Sequence, residues 1–150
     1  MRLLDGHLTV ADLDAFLATI DEISTETATT IQAFDADYVV SEAHLRRAVE
    51  RADRAIARGE NVARDRAVEI LCYAAGRRQI NRALEMGVSE GENRVVLLVD
   101  SLAGDEHAEA AALDVLREHV DSEALLGEYD EASVRSFFGI GDAELAAVDG

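Results

Sequence analysis

Lysine, proline and tryptophan are absent from this sequence, and cysteine occurs once. Each absence excludes something. With no proline, no Gly/Ser-rich stretch and no internal repeat to mark a linker, one domain is expected over residues 1–150. A lone cysteine, Cys72, cannot form an internal disulfide, and its apolar surroundings at 68–75 fit a reducing cytosol. No apolar run approaches the roughly 20 residues of a membrane span; the run at 95–99 is strand-sized. Residues 1–6 lack the charged-then-apolar pattern of a secretory signal, so a cytoplasmic protein is expected, with no membrane contact.

Catalytic signatures are missing too. No Gly-rich phosphate loop precedes a helix, and Gly139-Ile140-Gly141 is too short a match to count. The four histidines, His7, His44, His107 and His119, show no metal-ligand spacing, and Cys72 has no base at fixed spacing. The expectation is a chain with no cofactor, no metal and no catalytic residues, acting by binding partners.

What the sequence has in excess is acid: 31 Asp plus Glu against 14 basic residues, a net charge of −17. Every one of the 14 basic residues is arginine. A carboxylate-rich surface that keeps arginine and discards lysine fits a halophilic cytoplasm, where concentrated salt screens self-repulsion.

Hydrophobic periodicity predicts an α+β fold, a small mixed β-sheet packed with helices. Strands are expected over 3–10, 29–33 and 94–101, the last apolar enough for burial on both faces. Helices are expected over 12–23, over 41–58 with Ser41 as cap and Gly59 as stop, over 62–75 ending at Gly76, over 77–86 and over 106–120. Two short helices, 131–138 and 142–148, finish the chain.

Charge is unevenly spread. Arginines 46, 47, 51, 54, 58, 64, 66, 77, 78 and 82 form a basic island against only five acids, inside an otherwise acidic chain. Arg47, Arg51, Arg54 and Arg58 share one helix face, opposite a core stripe of Leu45, Ala48, Val49, Ala52 and Ile56. That face is either solvated, with pairs such as Glu50–Arg54, or a phosphate-tracking stripe. Gly76-Arg77-Arg78-Gln79 is expected to open a helix, joining two guanidiniums and an amide to free N–H groups that could grip a phosphate and a base edge. Tyr73, one turn earlier, offers a stacking face, and ordinary solvent-facing arginines are the plainer alternative. Glu69 interrupts the apolar run at 68–71 and needs a partner, for which Arg66 or an island arginine is expected.

An ordered set of motifs carries a resemblance. His44-Leu45…Ala48, Asn61-Val62-Ala63, Glu69-Ile70-Leu71-Cys72-Tyr73, Gly76-x-x-Gln79-Ile80 and Ala83…Gly87-Val88 follow one another, and Phe138-Gly139-Ile140-Gly141-Asp142-Ala143-Glu144-Leu145 closes the pattern. This resembles the small tRNA-binding subunit of the KEOPS (EKC) complex, the family of the PRPK-binding protein. The resemblance implies a non-catalytic adaptor that binds the kinase-like ATPase subunit and the 3′ CCA end of tRNA. Another subunit then transfers threonylcarbamoyl to the adenosine 3′ of the anticodon. Combined with the residue reading above, the expected RNA contacts are Tyr73, Gly76, Arg77, Arg78, Gln79, Ile80 and Arg47, with His44, Asn61 and Glu69 as partner-binding or structural positions. A protein–protein module that never touches RNA is the alternative. The resemblance also implies a further apolar segment beyond Leu145, so either this chain is short there or its sheet lacks an edge strand.

Overall fold

Four strands and six α-helices make up the described residues, 1–77 and 79–138, of a computed structural model. Strand β1 (Arg2–Val10) leads into helix α1 (Leu13–Thr27), whose cap Asp12 accepts from the N–H of Ala15. Strand β2 (Thr30–Asp35) follows, then a 3₁₀ turn (Ala36–Tyr38) and helix α2 (Glu42–Ala57). Ser41 caps α2 by accepting from the N–H of His44, and Gly59 adopts φ 68° just beyond its end. Helix α3 (Arg66–Ala75), the one-turn helix α4 (Ile80–Ala83) and a 3₁₀ turn (Leu84–Met86) precede the central strand β3 (Gly91–Asp100). Helix α5 (Glu106–Leu116), the two-residue β4 (Asp121–Ser122) and helix α6 (Glu131–Phe138) complete the described chain. The helix expected over 142–148 and the ending beyond Leu145 lie outside the described residues.

The α+β class holds, with one correction. The sheet runs β2-β3-β1-β4 and every pairing is antiparallel, so it is not mixed. β1-α1-β2 reads in sequence like a parallel crossover, and β1 and β2 do point the same way. However, β3 inserts between them and runs against both. The expected burial of β3 on both faces is found: Val95, Leu97 and Val99 pack toward α1 and α5, and Val96 and Leu98 toward α2 and α3.

Two helix starts differ from expectation. α3 begins at Arg66, not at 62, because Asp65 caps it, accepting from the N–H of Ala67 at 2.7 Å, and residues 62–63 lie in the loop before it. The helix expected over 77–86 shrinks to α4 because Gly76 takes the left-handed conformation, φ 65°, and closes α3 with the Arg77 N–H on the Cys72 carbonyl. On α2 the buried stripe is Leu45, Ala48, Val49, Ala52 and Ala55, and Ile56 is exposed instead. Among the described residues, no helix is long and apolar enough to cross a membrane.

Candidate functional site

The antiparallel α2–α3 pair builds the surface that carries the arginine island. Arg47, Arg51, Arg54 and Arg58 are all exposed along α2. The expected Glu50–Arg54 pair does not form; the i,i+4 pair on this helix is Arg46 with Glu42 at 3.2 Å. An arginine face without carboxylate partners among the described residues keeps its charge available.

Beneath it, His44 fastens the start of α2 to the end of α3. Its Nε2–H donates to the Ala74 carbonyl at 2.7 Å, and Nδ1 accepts from the Val40 N–H at 3.5 Å. This pattern fixes the neutral tautomer with the proton on Nε2. Burial pushes the imidazole pKa down, the Ala74 hydrogen bond opposes this, and the Arg47 charge adds to the fall. The unfolded chain takes up a proton near pH 6.5 that the folded chain resists. His44's contribution to stability is therefore complete above that range and lost as pH falls through it toward the folded value. Melting at pH values from about 7.5 to about 5.5 should show wild type losing stability where His44→Gln stays flatter. Identical pH profiles for the two proteins would contradict the buried neutral imidazole.

Two cavities open along the seam. One, of about 210 Å³, is lined by His44, Arg47, Arg51, Tyr73, Gly76 and Phe138 among others. The second, of about 260 Å³, is lined by Arg51, Val62, Glu69, Cys72, Tyr73, Gly76 and Arg77. Tyr73, Arg51 and Gly76 border both. At Gly76 the space a Cβ would occupy is open, and its positive φ would strain any other residue.

Glu69 shapes the second cavity from below. It is 1% exposed, and its Oε1 accepts from the N–H groups of Val62 at 3.0 Å and Ala63 at 2.9 Å. The expected arginine partner is thus corrected: two backbone N–H groups hold one oxygen of the carboxylate. Asn61 supports the same loop, donating to the Ala63 carbonyl at 2.8 Å. Arg66 works elsewhere. It forks onto Asp53 at 2.8 and 2.9 Å and also reaches Asp100 at 2.6 Å and Thr30 at 2.9 Å. Cys72 is buried, and burial, with Glu69 nearby, raises its thiol pKa, so the nucleophilic thiolate is disfavoured.

The expected Gly76–Ile80 grip is rearranged. α4 has four residues, too few to present the helix start and dipole that were expected there. Arg77 is half-buried. Its guanidinium donates to the Phe137 carbonyl and lies 4.8 Å from the centre of the Phe137 ring. It therefore pins the end of α6 to the end of α3, where it was expected to grip a phosphate. Gln79 is exposed at the cap of α4 with no side-chain capping bond, and Ile80 is 38% exposed; neither lines the two cavities. Arg78 lies outside the described residues.

The structure thus gathers Tyr73, Gly76, Arg47 and His44 at one cavity, and Glu69 and Arg77 at its neighbour. It adds Phe138, which meets His44 edge-on at 5.5 Å, and Phe137, which meets Tyr38 at 5.2 Å. An adjacent Phe pair is a signal for packing, but its meeting with α3 is a long-range contact that periodicity does not reveal. Among the described residues, no group of three or more His, Cys, Asp or Glu could hold a metal ion.

Comparison with curated proteins gives no match. The family model described as "Kinase binding protein CGI-121" matches residues 10–149, which takes in both cavities and the arginine face. The chain belongs to the CGI-121 family of kinase-binding proteins.

Proposed function

We propose that this chain is a non-catalytic adaptor that binds a PRPK-type kinase-ATPase subunit and holds the 3′ CCA end of tRNA at the two Tyr73 cavities. In this reading it supports threonylcarbamoylation of the adenosine 3′ of the anticodon within a cytoplasmic KEOPS-type assembly. The observation that carries it is the pair of cavities sharing an aromatic ring, with Arg51 bordering both and Arg47 the first, neither holding a carboxylate among the described residues. Both volumes fall below the roughly 300 Å³ of a drug-sized site. They suit single planar rings, which unstacked terminal bases supply. Arg47 and Arg51, one turn apart on α2, offer guanidiniums to the intervening phosphates.

The rest of the surface supports a halophilic archaeal source for this adaptor. On α1 and α5, Asp14, Asp21, Glu22, Glu26, Glu106 and Asp114 are exposed, and neither helix carries an arginine. In concentrated salt, counterion release contributes little, so binding must rest on stacking and directional hydrogen bonds. Titrating tRNA at rising salt should give a shallow slope of log affinity against log salt. Arg54→Ala/Arg58→Ala, on the same face beyond the cavities, should leave that slope unchanged. A steep slope that flattens by about 2 in this double variant would place binding on the charge stripe. No tRNA binding at any salt would leave the arginines to an acidic protein partner.

A further inference from the structure

The family description supplies a kinase partner but no surface for it, and the arginine face is taken by RNA in the reading above. A separate groove runs along the free edge of the sheet. β2 is one of the two edge strands, with α1 packed on one face of the sheet and α3 on the other. Between them lies an opening of about 360 Å³ lined by Phe16, Leu17, Ile31, Val68, Leu84 and Val88 among others. Two of these are large apolar side chains left in water: Leu17 is 48% exposed and Leu84 55%. Exposed apolar side chains meeting at a groove mark an interaction surface.

Two observations select the occupant. An added strand is disfavoured because β2's edge is already blunted. The Gln32 side chain accepts from the Ala33 N–H at 2.9 Å and donates to the Ala67 carbonyl at 2.8 Å, spending its amide along the strand. That leaves side chains, presented by a helix, as the natural filling. The rim is acidic: Asp21 and Asp65 both line the groove and are exposed, and α1 has no basic residue. A second copy of this chain, at a net −17, would bring acid to acid.

We propose that the groove between α1, β2 and α3 is the docking site for the kinase partner, receiving an amphipathic helix with apolar anchors and flanking basic residues. This rests on the adaptor reading and adds that kinase and tRNA occupy separate surfaces of one chain.

The test uses the full chain with its kinase partner and with tRNA, in the salt where the chain is folded. Leu17→Asp/Leu84→Asp should weaken the kinase by at least about 30-fold while tRNA affinity and the melting curve stay near wild type, as expected for central apolar anchors. Asp21→Arg, an exposed change that spares the apolar side chains, should weaken it by about 3- to 10-fold. Unchanged kinase affinity in a folded Leu17→Asp/Leu84→Asp protein overturns the proposal. So does a self-associated dimer that Leu17→Asp/Leu84→Asp dissolves. Loss of the kinase on Arg47→Glu/Arg51→Glu, with the groove variants still binding, overturns the groove and leaves the adaptor reading intact. A wild-type chain that binds tRNA but no kinase overturns both.

Discussion

Arg66→Ala is expected to cost about 3 kcal/mol of folding stability, the largest loss from any single arginine among the described residues. Its guanidinium is 13% exposed and joins three elements at once: α2 through Asp53, β2 through Thr30 and β3 through Asp100. Asp53 is held bidentately, at 2.8 and 2.9 Å, which adds geometry to charge. Removing the guanidinium leaves Asp100, itself 13% exposed, with the Met1 ammonium at 3.2 Å as its remaining ion pair, and leaves Asp53 without its bidentate partner. Asp53 is 34% exposed, so water recovers part of its loss, and the estimate sits at the low end of a fully buried pair. Arg47→Ala on the exposed face of α2 should change stability by less than about 0.5 kcal/mol. Denaturant unfolding of both variants at fixed salt tests the contrast. A loss below about 1 kcal/mol for Arg66→Ala would show that this network is incidental to the fold.

Arg66 also illustrates which parts of the structure were legible in the sequence. Composition separates a basic island from an acidic chain, but it does not tell the arginine that locks the α2–α3 layer to the sheet from those that face solvent. Local signals were reliable where one residue enforces the outcome. Ser41 and Gly59 bracket α2 because a cap and a left-handed glycine act within one turn. The run at 95–99 announces burial on both faces because no polar residue interrupts it.

Errors arose where a distant contact overrules local preference. Residues 62–65 have a helical pattern, yet the Glu69 carboxylate captures the N–H groups of Val62 and Ala63 and holds them outside α3. Arg77 reads as part of a phosphate grip until Phe137, sixty positions away, supplies both a carbonyl and a ring. β4 is two exposed residues that pair with β1 at Gly6 and His7, too short to leave a periodic signature. At the candidate site, Tyr73 and Gly76 were legible because aromatic stacking and backbone access are properties of the residue types. The companion roles of Arg51 and Phe138 were not, since they depend on how α2, α3 and α6 meet.

The central claim is that the Tyr73 cavities hold the end of an RNA strand, and it predicts a large effect from a small deletion. Affinity should be compared for intact tRNA and for the same tRNA lacking its terminal CCA, with wild type, Tyr73→Phe and Tyr73→Ala. Stacking on an aromatic ring contributes about 1–3 kcal/mol per base, so trimming should weaken wild-type binding by roughly 10- to 100-fold. Tyr73→Phe keeps the ring and should behave as wild type, since the Tyr73 hydroxyl makes no hydrogen bond among the described residues. Tyr73→Ala should weaken intact tRNA by a similar factor, about tenfold or more, and should barely distinguish intact from trimmed. Tyr73 packs partly against the core, so a melting curve for each variant separates lost binding from lost fold. Equal affinity of wild type for intact and trimmed tRNA, with all three proteins folded, would contradict the claim.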